Sequence, residues 1–246
     1  MILKIVADLH THTIASGHAY STLLEMAKAA SDKGLEMLAT TDHGPNMPGA
    51  PHPYYFGNMR VVPKEIYGVE ILRGVEANIL DEQGNIDLPL HFQRNLDILL
   101  GGFHFPCYNS GSVEENTRAA IHAMIHSKID VLVHPGNPEF QLDAEKVVQA
   151  AKENNVLIEI NNSSLGEGSR KGSYDNCLEI AKAVAKYNWI VSLGSDAHIV
   201  FDVGNFSKAL TLIEKAGLTE ENIINTDIKK IKEFLKSRKR PRFIEG

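Results

Sequence analysis

Cysteine is scarce in this chain: two thiols, Cys107 and Cys177, among 246 residues. With no C-x-x-C spacing, that excludes a disulfide framework and a thiolate-rich metal site. Excess positive charge is also missing. The formal charge of −6 and pI of about 6.0 give no general attraction to nucleic acid or an anionic membrane, so neither is an expected partner. Only KSRKRPR, from Lys236 to Arg242, is locally basic, and this tail at about 236–246 reads as a solvated terminus. No apolar run approaches the roughly 20 residues of a membrane span. The opening MILKIVADLH turns polar too soon for a secretory signal, and the expectation is a soluble, cytoplasmic protein. Repeats and low-complexity tracts are absent as well.

What is present is a hydrophobic content of 43%, enough over residues 1–246 for the core of one large α/β domain. Short β-branched runs alternate with stretches of helical period, as repeated βα units around a parallel sheet require. The strand runs are ILKIVADL, LEMLATT, GVEILRGVEAN, LDILLGGF, IDVLVH, VLIEIN and WIVSLGS. Helices are expected from a Ser21 cap to Lys33, with Leu24, Met26, Ala27 and Ala30 as the buried stripe. Further helices are expected at about 113–127, 143–153, 174–187 (opened by Ser173), 205–216 and 227–237. Two irregular stretches, 43–60 and 161–173, follow strands, where the loops of barrel folds carry function.

The strand ends repeat one theme. The first ends in Asp8, His10 and His12, on one face by the period of two, with His18 in loop reach. The others end in TTDHG with His43, RGVEAN with Glu76, GGFH with His104, LVHPG with His134 and GSDAH with Asp196 and His198. In a closed parallel barrel all of these meet on one rim. Seven of the eleven histidines at strand ends is a poor outcome for chance, although any one alone would read as an ordinary polar residue. His91, His122 and His126 fit surface or packing roles, and His52 sits in a loop able to overhang the rim. Asp8 is expected to orient a ligating imidazole through its second N–H.

Imidazole with carboxylate suits zinc, manganese or iron, whereas calcium and magnesium call for oxygen donors. Nine ligands at three or four per ion suffice for about three ions, with Glu76 free to bridge. Three divalent ions less two carboxylates leave a charge of about +4, which invites phosphate. A metal-bound hydroxide would then be the nucleophile. Arg170, and after it Lys171, in GSRKGS stand before a helix N-terminus where a phosphate could be clamped; Arg60 is a weaker candidate.

The series DLHTH, TDHG, GVEAN, GFH, HPG and GSDAH resembles the PHP (polymerase and histidinol phosphatase) superfamily, and its YcdX-type bacterial members in particular. The resemblance spans nearly the whole chain. It implies a distorted (β/α)7 TIM-like barrel with a trinuclear centre, usually zinc, at the C-terminal rim of the strands. It further implies that His10, His12, Asp196 and bridging Glu76 hold one ion, that His104, His134 and Glu76 hold a second, and that His18, His43 and His198 hold a third. The expected activity is metal-dependent hydrolysis of a phosphomonoester of a small molecule by a bridging hydroxide, with Glu76, Asp196 and Arg170 serving the reaction. A phosphodiesterase or exonuclease would use the same metals but need a basic groove. An amidohydrolase would need fewer ions, and a non-catalytic metal-sensing or partner-binding module would turn over nothing. Natural substrate and oligomeric state, including a homo-oligomer, stay open.

Overall fold

A computed structural model describes residues 3–244 of the chain. Its strands are β1 (Ala7–Asp8), β2 (Met37–Thr40), β3 (Glu65–Ile66), β4 (Val69–Asn78), β5 (Ile98–Gly102), β6 (Val131–Leu132), β7 (Leu157–Asn161) and β8 (Val191–Gly194). The helices are α1 (Leu23–Asp32), α2 (Pro53–Asn58), α3 (Leu90–Gln93), α4 (Val113–His122), α5 (Ala144–Glu153), α6 (Tyr174–Tyr187), α7 (Ser207–Lys215), α8 (Ile228–Ser237) and α9 (Pro241–Ile244). Seven strands pair in parallel in the order β1, β2, β4, β5, β6, β7, β8, and β3 folds back antiparallel on the start of β4. The expected seven-stranded α/β barrel is the observed architecture.

The barrel is nearly closed, and the β1–β8 seam shows why it is distorted. At its upper end the Asp196 amide donates to the His10 carbonyl and the His12 amide to that of Ala197, both at 2.9 Å. Lower down, Asn225 sits in the seam. Its amide nitrogen donates to the Ala7 and Leu193 carbonyls at 2.9 Å each, and its side-chain oxygen accepts from the Leu193 amide at 2.7 Å. One side chain thus stands in for ladder bonds that two short strand edges would otherwise leave unmade.

The period of two then divides the interior into a dry base and a polar rim. Met37 and Ala39 of β2, Leu72 of β4, Ile98 and Leu100 of β5 and Leu157 of β7 pack in the lower barrel, plugged from below by Ile231, Phe234 and Leu235 of α8. Continuing each of those faces two residues at a time leads to His43, Glu76, His104 and Glu159. The strands therefore aim these polar side chains at one layer by counting alone. A second apolar cluster packs the helices on the outer faces.

Several local expectations are corrected. The cap of α1 is Thr22, in a reciprocal pair with Glu25, while Ser21 is buried and its hydroxyl accepts from the Val200 amide at 3.2 Å. Leu24 faces outward, 56% exposed, and Met26, Ala27 and Ala30 are the buried stripe. The stretch 43–60 contains α2, opened by Pro53 and capped by His52, whose ring nitrogen accepts from the Tyr54 amide at 3.2 Å. The helix after Ser112 passes into a π-turn at Ala123–Ser127. Of the first strand run, only Ala7–Asp8 is strand, and Ile2 lies outside the described residues.

The basic tail is the largest correction, since through Arg242 it is docked and not solvated; residues 245–246 lie outside the described region. Arg238 and Arg240 donate through their Nε atoms to the two oxygens of buried Asp130, at 3.0 and 2.6 Å. Arg242 donates to Asp97, which also receives the fork of Arg73. Asp97 and Asp130 immediately precede β5 and β6, and such buried carboxylates demand cations, which Arg73 of the neighbouring strand and the docked tail supply.

Candidate metal centre

All nine expected ligands assemble at the C-terminal rim. His10 Nε2 lies 3.1 Å from His12 Nε2, and both lie near Glu76 Oε2, at 3.3 and 3.4 Å. Asp196 Oδ1 completes this group at 3.1 Å from His12 Nε2 and 3.7 Å from His10 Nε2. On the other side of the same carboxylate, Glu76 Oε1 is 3.0 Å from His104 Nε2 and 2.6 Å from His134 Nε2, which are themselves 3.1 Å apart. His18 is stacked between His43 and His198, with ring centres 5.0 Å away from each. His43 Nδ1 approaches Glu76 Oε2 at 2.8 Å, so the third cluster adjoins the first two.

The chain orients the first two rings from behind. Glu159 Oε1 accepts from His10 Nδ1 at 2.7 Å, and its other oxygen accepts from the His134 amide at 2.7 Å. Ser16 accepts from His12 Nδ1 at 3.1 Å while donating to Asp42 at 2.7 Å. Asp42 also accepts from Thr13 and, at 2.7 Å, from Tyr55, whose phenol is pushed up by burial and by that carboxylate. When both rings are neutral with Nδ1 as the donor, the two Nε2 atoms present lone pairs to one another across 3.1 Å. Glu76 Oε2 and His43 Nδ1 are buried and, although 2.8 Å apart, are not aligned for a hydrogen bond with each other or with any other group among the described residues. An arrangement of acceptors facing acceptors is satisfied by cations, and nitrogen with carboxylate oxygen is a transition-metal donor set. The residues fit a metal cofactor.

The rim's imidazoles and carboxylates also act on one another's charge. Burial opposes charge on His10, yet Glu159, Glu76 and Asp196 hold it well above the usual imidazole range. Burial pushes Glu76 up, but His104, His10 and His43 keep it well below the carboxylate range. Asp196 is likewise kept low against burial, chiefly by Arg170 and then His10. Burial and the Arg170 charge pull His134 down to about 4. His134 and Asp196 also carry left-handed backbones, φ 34° and 57°, a strain of about 1–3 kcal/mol each that the surrounding bonds must hold.

One expectation about supporting residues fails and another holds only in part. Asp8 touches no imidazole: it accepts from the backbone amides of His10, Ser195 and Gly204, at 3.4, 3.1 and 2.9 Å, and so pins the β1–β8 seam. The orienting carboxylate that sequence reading missed is Glu159, whose signal was an acid inside the apolar run VLIEIN. Gly194 makes room for it, since a Cβ there would stand 2.0 Å from Glu159 Oε1. Ser173 stands at the N-cap of α6 as expected, but its hydroxyl makes no cap bond and donates instead to the Arg170 carbonyl at 2.6 Å.

Arg170 is nearly buried and donates through Nε to Ser164 at 2.8 Å and through Nη2 to Asp196. It lines a cavity of about 550 Å³ together with His18, His104, His198, Glu139 and Asp202. Lys171 points elsewhere, exposed and paired with Glu167 at 2.6 Å. Arg60 lines a separate groove beside Tyr54 and Phe92, and His52 is occupied in its cap. His122 and His126 face the Glu82 and Gln83 carbonyls, away from the rim.

A PHP domain model matches residues 8–163. A probable phosphatase of Thermoanaerobacter sp. (strain X514) is 53% identical over 239 residues, 97% of each chain. One of Clostridium acetobutylicum is 52% identical over 236 residues, 96% of each. Among solved structures, the fold is similar to a histidinol phosphate phosphatase from Lactococcus lactis, complexed with zinc, L-histidinol and phosphate, with a TM-score of 0.60 and 16% identity over 87% of this chain and 94% of that one. Among the described residues, no helix is long and apolar enough to cross a membrane.

Proposed function

The chain belongs to the PHP domain family and is a phosphatase enzyme like the relatives it matches end to end, and from that premise we propose that it hydrolyses phosphomonoesters of small molecules at a centre of three metal ions. The observation that carries this reading is Glu76, whose two oxygens face two separate pairs of imidazole nitrogens while a third histidine cluster adjoins them. In this assignment His10, His12, Asp196 and Glu76 hold one ion, His104, His134 and Glu76 another, and His18, His43 and His198 the third. Zinc is the expected metal, with manganese or iron able to replace it on the same donors. Bound ions supply Lewis-acid charge and a hydroxide nucleophile near neutral pH.

The protein's own part is positional. Glu159 and the Ser16–Asp42 pair hold two imidazoles in one tautomer and one direction, so no reorganisation is needed at the moment of reaction. Arg170, fixed by Ser164 and Asp196, keeps Nη1 without a hydrogen bond among the described residues and brings its charge to the cavity wall, where it meets phosphoryl oxygens. The cavity volume suits a small molecule. Glu139 and Asp202 on its wall and Arg170 as its lone lysine or arginine make a poor groove for a nucleic-acid backbone, which supports a monoester over a diester.

The test is one preparation of metal-supplied protein, analysed for metal content and assayed on p-nitrophenyl phosphate, a bis-aryl phosphodiester and an acyl amide. More than two ions per chain with preference for the monoester is the expected result. One ion or none, or preference for either other substrate, rejects the reading.

A further inference from the structure

The docked tail builds a second cavity, far in the fold from the metal rim, between the α3 segment, the π-turn after α4 and the chain from Arg238 to Pro241. Its volume is about 540 Å³. Arg94, Lys128, Arg238 and Arg240 line it, and no carboxylate does. Buried Asp130 behind the wall neutralises one of those four charges, which leaves three positive charges around one concave space in a chain of net charge −6.

The cations differ in how far the fold uses them. Arg238 is consumed: its Nε is on Asp130, its Nη1 on the Asn154 carbonyl at 2.8 Å, and its Nη2 on the Lys128 and Ile129 carbonyls at 3.0 and 2.7 Å. Arg240, with a side chain 12% exposed, donates through Nε to Asp130 and through Nη2 to the Lys128 carbonyl. Its Nη1 has no hydrogen bond among the described residues. Arg94 and the Lys128 ammonium have neither a hydrogen bond nor an ion pair there, and both are exposed at the rim. Lys128 stands at φ 54°, a backbone that favours glycine, so the ammonium is carried at a position where the turn itself prefers no side chain. The other wall is apolar: Pro89, Pro241 and Leu90, the last 68% exposed.

We propose that this cavity is a binding site for a small phosphate or phosphonate dianion with an apolar body, separate from the metal centre. The anion meets the free Nη1 of Arg240 at the floor and Arg94 and Lys128 at the rim, and the apolar body lies against Pro89, Leu90 and Pro241. Arg238 and Asp130 form the rigid back of the site. A concave space of this size suits a small ligand, and a flat polyanion would reach the rim cations without the floor.

Phenylphosphonate is the probe, since its C–P bond withstands hydrolysis. It is titrated calorimetrically into the metal-loaded full chain and into the Arg94→Ala/Lys128→Ala double variant, whose substitutions are exposed and spare the Asp130 pairs. The expected result is a class of sites in the wild type that the double variant binds roughly 10- to 100-fold more weakly. The rise in Tm caused by the probe shrinks in parallel. The charge-preserving Arg94→Lys/Lys128→Arg variant retains that class, and all three proteins hydrolyse p-nitrophenyl phosphate alike without the probe. Coincident isotherms for wild type and double variant overturn the proposal, as does equal loss in the charge-preserving variant. Because the variants change only residues outside the metal centre, the comparison stands whether or not that centre itself binds the probe.

Discussion

The two ends of this barrel use similar charged residues to opposite ends. At the base, Asp130 accepts from Arg238 and Arg240, and Asp97 from Arg73 and Arg242, so each buried carboxylate is matched within hydrogen-bond distance. At the rim, Glu76 and seven histidines face one another with acceptors opposed and Glu76 Oε2 unpaired. The buried carboxylates of the base are matched within the chain and stabilise the fold; the rim is open electrostatics, held in place by its backing and completed by cations.

The comparison breaks most sharply at Glu76. Glu76→Gln should cost more activity than the ~10–100-fold typical of losing a residue that only orients a ligand. Metal should be lost from two sites together, whereas His18→Ala should empty mainly one. Equal metal counts in the two variants would show that the carboxylate does not bridge.

Next in size is Asp130→Ala, which leaves two arginines without their carboxylate and should destabilise folding by about 3–5 kcal/mol in chemical denaturation. The kcat/KM of the folded fraction should stay at the wild-type value, and a selective loss of activity would mean the two ends are coupled. Glu159→Gln keeps the volume but weakens the bond to His10 Nδ1, and should lower kcat/KM and metal affinity by roughly 10- to 100-fold with little change in Tm. A large loss of stability with unchanged metal affinity would instead assign Glu159 to the base-like class. Arg170→Ala should weaken kcat/KM by roughly 10-fold or more with metal content retained, and Arg170→Lys should recover only part, because a point charge replaces a fork. The smallest effect is reserved for Lys171→Ala, less than about 2-fold in kcat/KM, since an exposed ion pair with Glu167 contributes little.

Much of the rim was legible because its signals are local. His10, His104, His134 and Asp196 each sit two residues past a strand and Glu76 within one, where the period of two projects them toward one layer, while His12, His43 and His198 follow within four residues. The backing of the rim was less legible. Ser16 and Asp42 are ordinary polar residues of loops, and nothing near them in sequence says that one imidazole rests on both. The sequence reading gave the orienting role to Asp8, the acid adjacent to the ligands, because adjacency is all that a linear reading can weigh; the barrel instead brings Glu159, 149 residues from His10, behind the ring. Cap positions erred by one residue at α1, where Ser21 and Thr22 are chemically equivalent and only the path of the chain distinguishes them.

By itself the sequence determined the seven parallel strands, the helices between them, and the donor set that converges on the rim, since hydrophobic period and residue chemistry are properties of short segments. Only the tertiary structure decided which charges would be neutralised. The basic tail looked like a solvated terminus because its partners lie 108 and 110 residues away for Arg238 and Arg240, across the base of the barrel. Charge attraction between distant segments has no period along the chain. Its pairings appear only when the fold has removed water from one partner and brought the other within reach.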